Sequence, residues 1–178
     1  MRAGHYTASV ATRRPGLLTG EAKHQSLTKG LEIGTRFHSS PVVRLADAKP
    51  IHLGHAARAD GRWRLYAFSD AQGVALNALC EHLAAHAPRD ENADIDSEFD
   101  VRAILQQPHR SDIRINELPA LLLPRKGQYG LIDYEQASFT NDAATDIFGE
   151  RGIDRERGAL VVVCPDQYVA HVCPECVR

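Results

Sequence analysis

The stretch from Gly158 to Cys173, GALVVVCPDQYVAHVC, constrains this chain more than any other. Its first half, Ala159 to Cys164, is an unbroken apolar run rich in β-branched valine and bounded by Gly158 and Pro165. Such a run has no polar face to give to water, so it reads as a central strand covered on both sides. The second half alternates, with Val169, His171 and Cys173 against Tyr168, Ala170 and Val172, which predicts a half-covered strand nearer a sheet edge. Pro165 fixes φ and Asp166 can accept a bond from the backbone two residues on. Pro-Asp-Gln is therefore turn chemistry, and the two strands should pair as an antiparallel hairpin.

The rest of the chain supplies layers for that hairpin. Pro50 to Ala59 carries a weak alternation ended by Asp60-Gly61, and Arg62 to Ser69 follows with Trp63, Leu65, Tyr66, Ala67 and Phe68, so a second hairpin is expected across Asp-Gly. Asp70 is a helix N-cap, and Leu76, Leu79, Cys80 and Leu83 recur at i, i+3, i+4 and i+7, predicting a docked amphipathic helix to about His86. Phe99, Val101, Ala103 and Leu105 alternate with polar neighbours as a third strand, inviting a parallel pairing across the helix. Pro119 and Pro124 leave room for a helical turn or two, and Arg125 to Gly130 reads as loop. Ile132 to Phe139 is a short strand, and Thr140 or Asn141 caps a helix carrying Ala144, Ile147 and Phe148. Helices alternating with strands make an α/β layer domain, in the element order of a thioredoxin-like fold with an extended N-terminal arm and extra N-terminal strands.

Composition enters at the domain count and the partners. With 178 residues, 43% hydrophobic and 25% charged, the chain has enough for one core. Residues 1–40 lack a sustained period and are punctuated by Pro15-Gly16, Gly20, Gly30 and Gly34, so they read as a linker or arm ahead of a domain at 41–178. A formal net charge of −2 leaves no electrostatic footprint for nucleic acid or a membrane surface. No apolar stretch reaches the roughly 18 residues of a membrane span, and the N-terminus lacks the apolar core of a secretory signal. The first twenty residues carry Arg2, Arg13 and Arg14 with no acid before Glu21, a bias shared with mitochondrial transit peptides. Four cysteines, three of them in the last fifteen residues, make no disulfide framework at this length, so the simpler expectation is a reducing, cytoplasmic setting.

Chemistry is marked mainly by missing motifs. The glycine-rich dinucleotide and phosphate loops, the hydrolase nucleophile elbow and the zincin helix are all missing, and no catalytic, cofactor-binding or metal residue is assigned. A thioredoxin-fold oxidoreductase would set its thiolate at the N-terminus of the helix after Ser69, but Ser69, Asp70, Ala71 and Gln72 stand there. Cys173-Pro-Glu-Cys176 is the one motif with reactive potential, as a redox pair or half a zinc site, and two incidental cysteines on a fraying tail is the blander reading. The histidines, His52 and His55 among them, are scattered without a carboxylate third partner.

Three segments carry a resemblance: Gly34 to Asp47, Ala59 to Phe68, and Gly152-Ile153-Asp154 through Cys164-Pro165-Asp166-Gln167-Tyr168-Val169. They resemble the C-terminal domain of the phenol hydroxylase family of FAD-dependent aromatic monooxygenases, in the branch of phenol 2-monooxygenases and 3-hydroxybenzoate 4-monooxygenases, over nearly all of residues 4 to 174. The resemblance implies a thioredoxin-like dimerisation domain, non-catalytic in itself. It also implies FAD and NADPH for the full-length enzyme, bound by an N-terminal region outside this chain. Cys164 departs from the family's usual arginine and Cys173 from its usual aliphatic residue. Hence the expected function is an assembly module, with a homodimer or a flavin monooxygenase domain as partner. The alternative is a stand-alone thioredoxin-like redox protein acting through Cys173 and Cys176.

The expected contact surface is the outer edge of the last strand, since nothing in the inferred order pairs with it and no Lys or Pro shields it. Tyr168, Val169 and His171, with Phe37 from the arm, are the interface candidates. An arm folded back over that edge would instead leave a monomer.

Overall fold

A computed structural model describes residues 21–86, 96–108, 113–134, 138–142 and 144–174. Its elements are β1 (Pro41–Arg44), β2 (Pro50–His52), β3 (Trp63–Phe68), α1 (Val74–His86), β4 (Phe99–Pro108), β5 (Arg125–Lys126), β6 (Leu131–Ile132), β7 (Ser138–Asn141), α2 (Ile147–Glu150), β8 (Ala159–Val163) and β9 (Val169–Cys173), with short 3-10 turns between them. Seven strands form one sheet in the order β2-β1-β7-β4-β3-β8-β9, and β5 with β6 forms a separate ribbon. The crossover through α1 makes β3 and β4 parallel, from Trp63↔Phe99 to Phe68↔Ile104. The β8–β9 hairpin closes the sheet antiparallel, as its Pro-Asp turn predicts.

Both faces of β3, β4 and β8 are buried, and each has its own cover. One face presents Tyr66, Phe68, Ile104, Val161 and Val163 to a core completed by Leu27, Leu31 and Phe37 from the N-terminal segment and Ile147 and Phe148 from α2. The other presents Leu65, Ala67, Val101, Ala103 and Leu160 to Leu76, Leu79 and Cys80 of α1, with Leu121 and Leu122 alongside. The helical stripe read from the sequence is thus the buried one. The Val-rich strand β8 is covered on both faces, although it lies next to the edge strand and β4 holds the middle.

Several sequence expectations are corrected. No hairpin forms across Asp60-Gly61: β2 pairs with β1 and β3 with β4 and β8. After His52 the chain coils into a 3-10 turn that sends Leu53, 0% exposed, into the core, and this burial outweighs a ladder across Asp-Gly. Arg125-Lys126 is a strand and not loop, paired with Leu131-Ile132. The run from Ile132 to Phe139 is not one strand, since β6 ends at Ile132 and β7 begins at Ser138. The N-cap of the next helix is Asp146 and neither Thr140 nor Asn141, although Asn141 Oδ1 accepts from Ile147 N at 3.2 Å, and α2 is a single turn that excludes Ala144.

β9 departs most from its own alternation. Val162 opposes His171 and Val163 opposes Val169, so Ala170 is an extra residue in a β-bulge. The bulge brings Val169 and Val172, three apart, into the same core. His171 and Cys173 point to the other face, where Cys173 packs beside the α1 core.

The outer edge of β9 is covered by the chain's own N-terminal segment. Gly34 N donates to Val169 O at 2.8 Å, Val169 N to Thr35 O at 2.9 Å and Phe37 N to Gln167 O at 2.7 Å, with Arg36 and Tyr168 forming a bridge. Residues 21–40, read as linker or arm from sequence, are in fact docked. The reason is local: Leu27, Leu31 and Phe37 have no periodic spacing but reach one apolar face through turns, which periodicity does not detect. Phe37 is 8% and Val169 0% exposed, so neither is available to a partner as the interface reading required.

Gly30 marks the closest approach of this segment to α2. Its N–H donates to Arg151 O at 2.8 Å, and a Cβ there would lie 2.9 Å from Arg151 Cα. Gly30→Ala must push backbone from backbone, at a cost of about 1–3 kcal/mol by analogy with overpacked cores. A clearly lowered Tm is expected in thermal melts, and an unchanged Tm would show the segment undocked in solution.

Candidate functional site

The turn after β3 is where this architecture places a reactive group, at the positive end of the crossover helix. Here Ser69 and Asp70 are 2% and 7% exposed, and the helix proper begins at Val74, later than Asp70 alone predicts. The Asp70 carboxylate still caps it, accepting from Val74 N at 3.2 Å and Ala75 N at 3.1 Å, while Ser69 Oγ donates to Asp70 O at 2.9 Å. The turn therefore closes the helix with a fixed negative charge and holds no sulfur. A flavin pyrophosphate does not fit there, because the amides that would receive it are bonded to a carboxylate that would repel it.

The cysteines are arranged for packing. Cys80 and Cys164 are buried and Cys173 is half-buried. Burial pushes the Cys173 thiol up to about 11, and its Sγ faces Leu160 O at 3.8 Å. Burial, followed by the nearby Asp166 carboxylate, also raises Cys164. Both shifts run opposite to the activation a redox thiol needs. Cys176, the other half of the proposed redox pair, lies outside the described residues.

Of the interface candidates, Tyr168 is 39% exposed and His171 is half-buried, with no hydrogen-bond partner at Nδ1. The two do not share a free edge with Val169 and Phe37, because the Gly34–Phe37 segment occupies it.

The sequence reading missed a chain of alternating charges that runs from the surface into the sheet. Lys126 Nζ pairs with both carboxylate oxygens of Asp96. Arg62 donates to Asp96 Oδ2 and to Asp60 Oδ2, each at 2.7 Å. Arg64 reaches Asp60 Oδ1 at 2.7 Å, and its Nε stands 2.9 Å from Asp100 Oδ2 at an angle too poor for a hydrogen bond. Asp100 Oδ2 then accepts from Arg102 Nε and Nη2 at 2.9 and 2.8 Å. Burial alone would raise the Asp60 carboxyl, but hydrogen bonds from Arg62 and Arg64 hold it below the usual carboxylate range. Arg64, Asp100 and Arg102 side chains are 5%, 3% and 1% exposed. Strand register explains the cluster: Arg64 stands opposite Asp100, and Tyr66 opposite Arg102, on one face of β3 and β4. The i, i+2 spacing of Asp100 and Arg102 within an alternating strand was the available signal.

At the surface end of this chain lies an open groove of ≈ 520 Å³ lined by Arg58, Asp60, Arg62, Asp96, Lys126 and Asp133. Lys126 also ties the β5–β6 ribbon to the groove's acidic wall. That ribbon and the residues just after it expose Tyr129, Leu131 and Tyr134 at 79%, 68% and 47%. They are three of the five large hydrophobic side chains most exposed among the described residues, the others being Val74 and Tyr168.

Two tests follow from these contacts. Asp100→Asn leaves the buried Arg102 guanidinium without its carboxylate, while Arg64 keeps Asp60, so a loss of about 3–5 kcal/mol is expected in urea unfolding, with part regained when Arg102→Met is added. At pH 8, with Cys176→Ser as background, burial leaves Cys173 with far less thiolate than in the unfolded chain. Iodoacetamide should therefore label the Cys173 peptide at least about tenfold more slowly in the native protein than in the urea-unfolded one, read by mass spectrometry, and equal rates would contradict the packed thiol.

Comparison with known proteins agrees with this arrangement. A family model described as phenol hydroxylase, C-terminal dimerisation domain, matches residues 4–175. A 3-hydroxybenzoate 4-monooxygenase of Comamonas testosteroni is 53% identical over 96% of this chain and 29% of its own length. A FAD-dependent monooxygenase of Aspergillus terreus is 32% identical over 86% of this chain and 27% of its own. The chain thus spans under a third of the curated relatives it matches. Among solved structures, a peroxiredoxin-like protein from Aquifex aeolicus superposes with a TM-score of 0.52 at 12% identity, over 83% of this chain and 78% of that one. A putative protein disulfide isomerase from Bacteroides thetaiotaomicron gives 0.51 at 14% identity, over 83% and 82%. The fold is thioredoxin-like, and at such identities these structures speak to the fold alone.

Proposed function

The chain belongs to the phenol hydroxylase C-terminal dimerisation domain family, and from that premise we propose that it is the assembly module of a FAD-dependent aromatic monooxygenase, joining two copies of the enzyme as a homodimer. Ring hydroxylation, with FAD and NADPH, falls to a flavin region outside this chain. What carries this reading is the β5–β6 ribbon. Tyr129 and Leu131 stand out from it into solvent, with Tyr134 just beyond. Large side chains of this kind supply contact area at low conformational cost, and aromatic ones are enriched at interface hot spots. The Lys126–Asp96–Arg62 ion pairs hold the ribbon to the sheet, so the surface is presented pre-ordered and less entropy is lost on association. The start of the β9 edge, at Tyr168 and Val169, does not compete, being bonded to residues 34–37. Cytoplasmic residence completes the proposal, since four cysteines make no disulfide framework at this length and a reducing compartment suits such a chain.

Light scattering on the purified chain at micromolar concentration is expected to give twice the 19.6 kDa chain mass. Leu131→Asp combined with Tyr129→Ser should weaken association by at least about thirtyfold, the equivalent of one hot spot of about 2 kcal/mol. A variant whose dimer dissociation constant is unchanged would rule out the ribbon, and a monomeric parent chain would rule out self-association.

A further inference from the structure

The last turn of α1 carries a pair of histidines that neither the fold nor the assembly role uses. His82 and His86 are separated by one helical turn, and His86 is exposed to solvent; their rings stack with centroids 4.4 Å apart and planes 22° from parallel, so a shared ion requires the His82 ring to turn out of the stack and bring its in-plane lone pair round to that of His86. Residues four apart on a helix share a face, which is the spacing at which two imidazoles reach one metal ion.

A second observation concerns the tautomer. His86 Nδ1 lies 3.0 Å from the His82 backbone carbonyl oxygen. A carbonyl oxygen can only accept, so the proton of that bond sits on Nδ1 and the Nε2 lone pair is left free to coordinate. Metal-ligating histidines are commonly set in this way, the second nitrogen donating to a backbone carbonyl. The pair also lies at the C-terminal end of the helix, where the macrodipole favours a cation.

We propose that His82 and His86 form a two-imidazole site for a borderline divalent transition-metal ion, of the class of Cu²⁺, Ni²⁺ and Zn²⁺, with water completing the coordination shell. Imidazole ligation selects these ions over Mg²⁺ and Ca²⁺, which require oxygen donors, and orders them with Cu²⁺ above Ni²⁺. Among the described residues no group of three or more His, Cys, Asp or Glu side chains is placed to hold a metal, so this is a bidentate site and a modest-affinity one. His52 and His55 are the obvious competitors. Their rings are 5.4 Å apart and tilted by 43°, across the start of a 3-10 turn, and neither has a second-nitrogen bond of the kind seen at His86.

The test is calorimetric titration of the untagged full chain with NiCl₂ and CuCl₂, with MgCl₂ as the negative probe. One ion per chain is expected, with copper tighter than nickel and no heat from magnesium. Removing a ligand should cost more than the 10–100-fold typical of losing an outer-shell partner, so His82→Ala and His86→Ala should each weaken nickel binding by at least tenfold. The double variant His52→Ala, His55→Ala should leave it unchanged. Both helix variants are surface changes, and circular dichroism at the working temperature shows whether each is folded. Unaltered nickel affinity in folded His82→Ala and His86→Ala, or loss of binding in the His52/His55 variant, would overturn the proposal.

Discussion

Everything in this fold answers to one constraint: β3, β4 and β8 are buried on both faces, so the sheet needs two covers. Helix α1 supplies one with a stripe at helical spacing, Leu76, Leu79 and Cys80. The other comes from a segment with no periodic signal, in which Leu27, Leu31 and Phe37 reach the sheet through turns and are joined there by α2. Removing that second cover would expose Tyr66, Phe68, Ile104, Val161 and Val163 together. The same segment occupies the outer edge of β9, so it answers two physical problems at once, apolar area and unpaired backbone.

Within the second core lies a costly feature, the Arg64–Asp100–Arg102 cluster between β3 and β4. Ion pairs at this depth are poor sources of stability, because desolvation consumes much of the Coulombic gain. Arg102 Nη1 lacks a hydrogen-bond partner, and the guanidinium lies 5.9 Å over the Phe139 ring, so one end of the cluster rests on aromatic contact. The other end continues through Asp60, Arg62 and Asp96 to Lys126 on the β5–β6 ribbon. The chain of charges is therefore a strut between the buried sheet and the surface that displays Tyr129 and Leu131.

In this thioredoxin-like fold the turn before α1 is closed by a carboxylate. Asp70 places a carboxylate on the amides of α1 that would otherwise stabilise a thiolate, and the three described cysteines sit where burial, not activation, sets their chemistry. A scaffold closed in this way is suited to holding other parts together, in keeping with a family defined by dimerisation.

How much of this was legible beforehand varies with the range of the interaction. Local patterns read correctly where one side chain period matched one buried face: the valine run of β8, the Pro-Asp-Gln turn, the α1 stripe, the Asp70 cap and the parallel β3–β4 pairing across the helix. The three resembling segments likewise carried the family and its thioredoxin-like fold. Only the tertiary structure decided the rest. An extra residue at Ala170 put Val169 and Val172 on one side, against the alternation, because a bulge is set by the partner strand's register. Residues 21–40 became part of the core because their apolar side chains find sheet residues far along the sequence, from Tyr66 under Phe37 to Val161 and Val169, a contact no local period encodes. Arg64, Asp100 and Arg102 met for the same reason: sequence placed each on the inward side of its strand, and the parallel register brought opposite charges face to face.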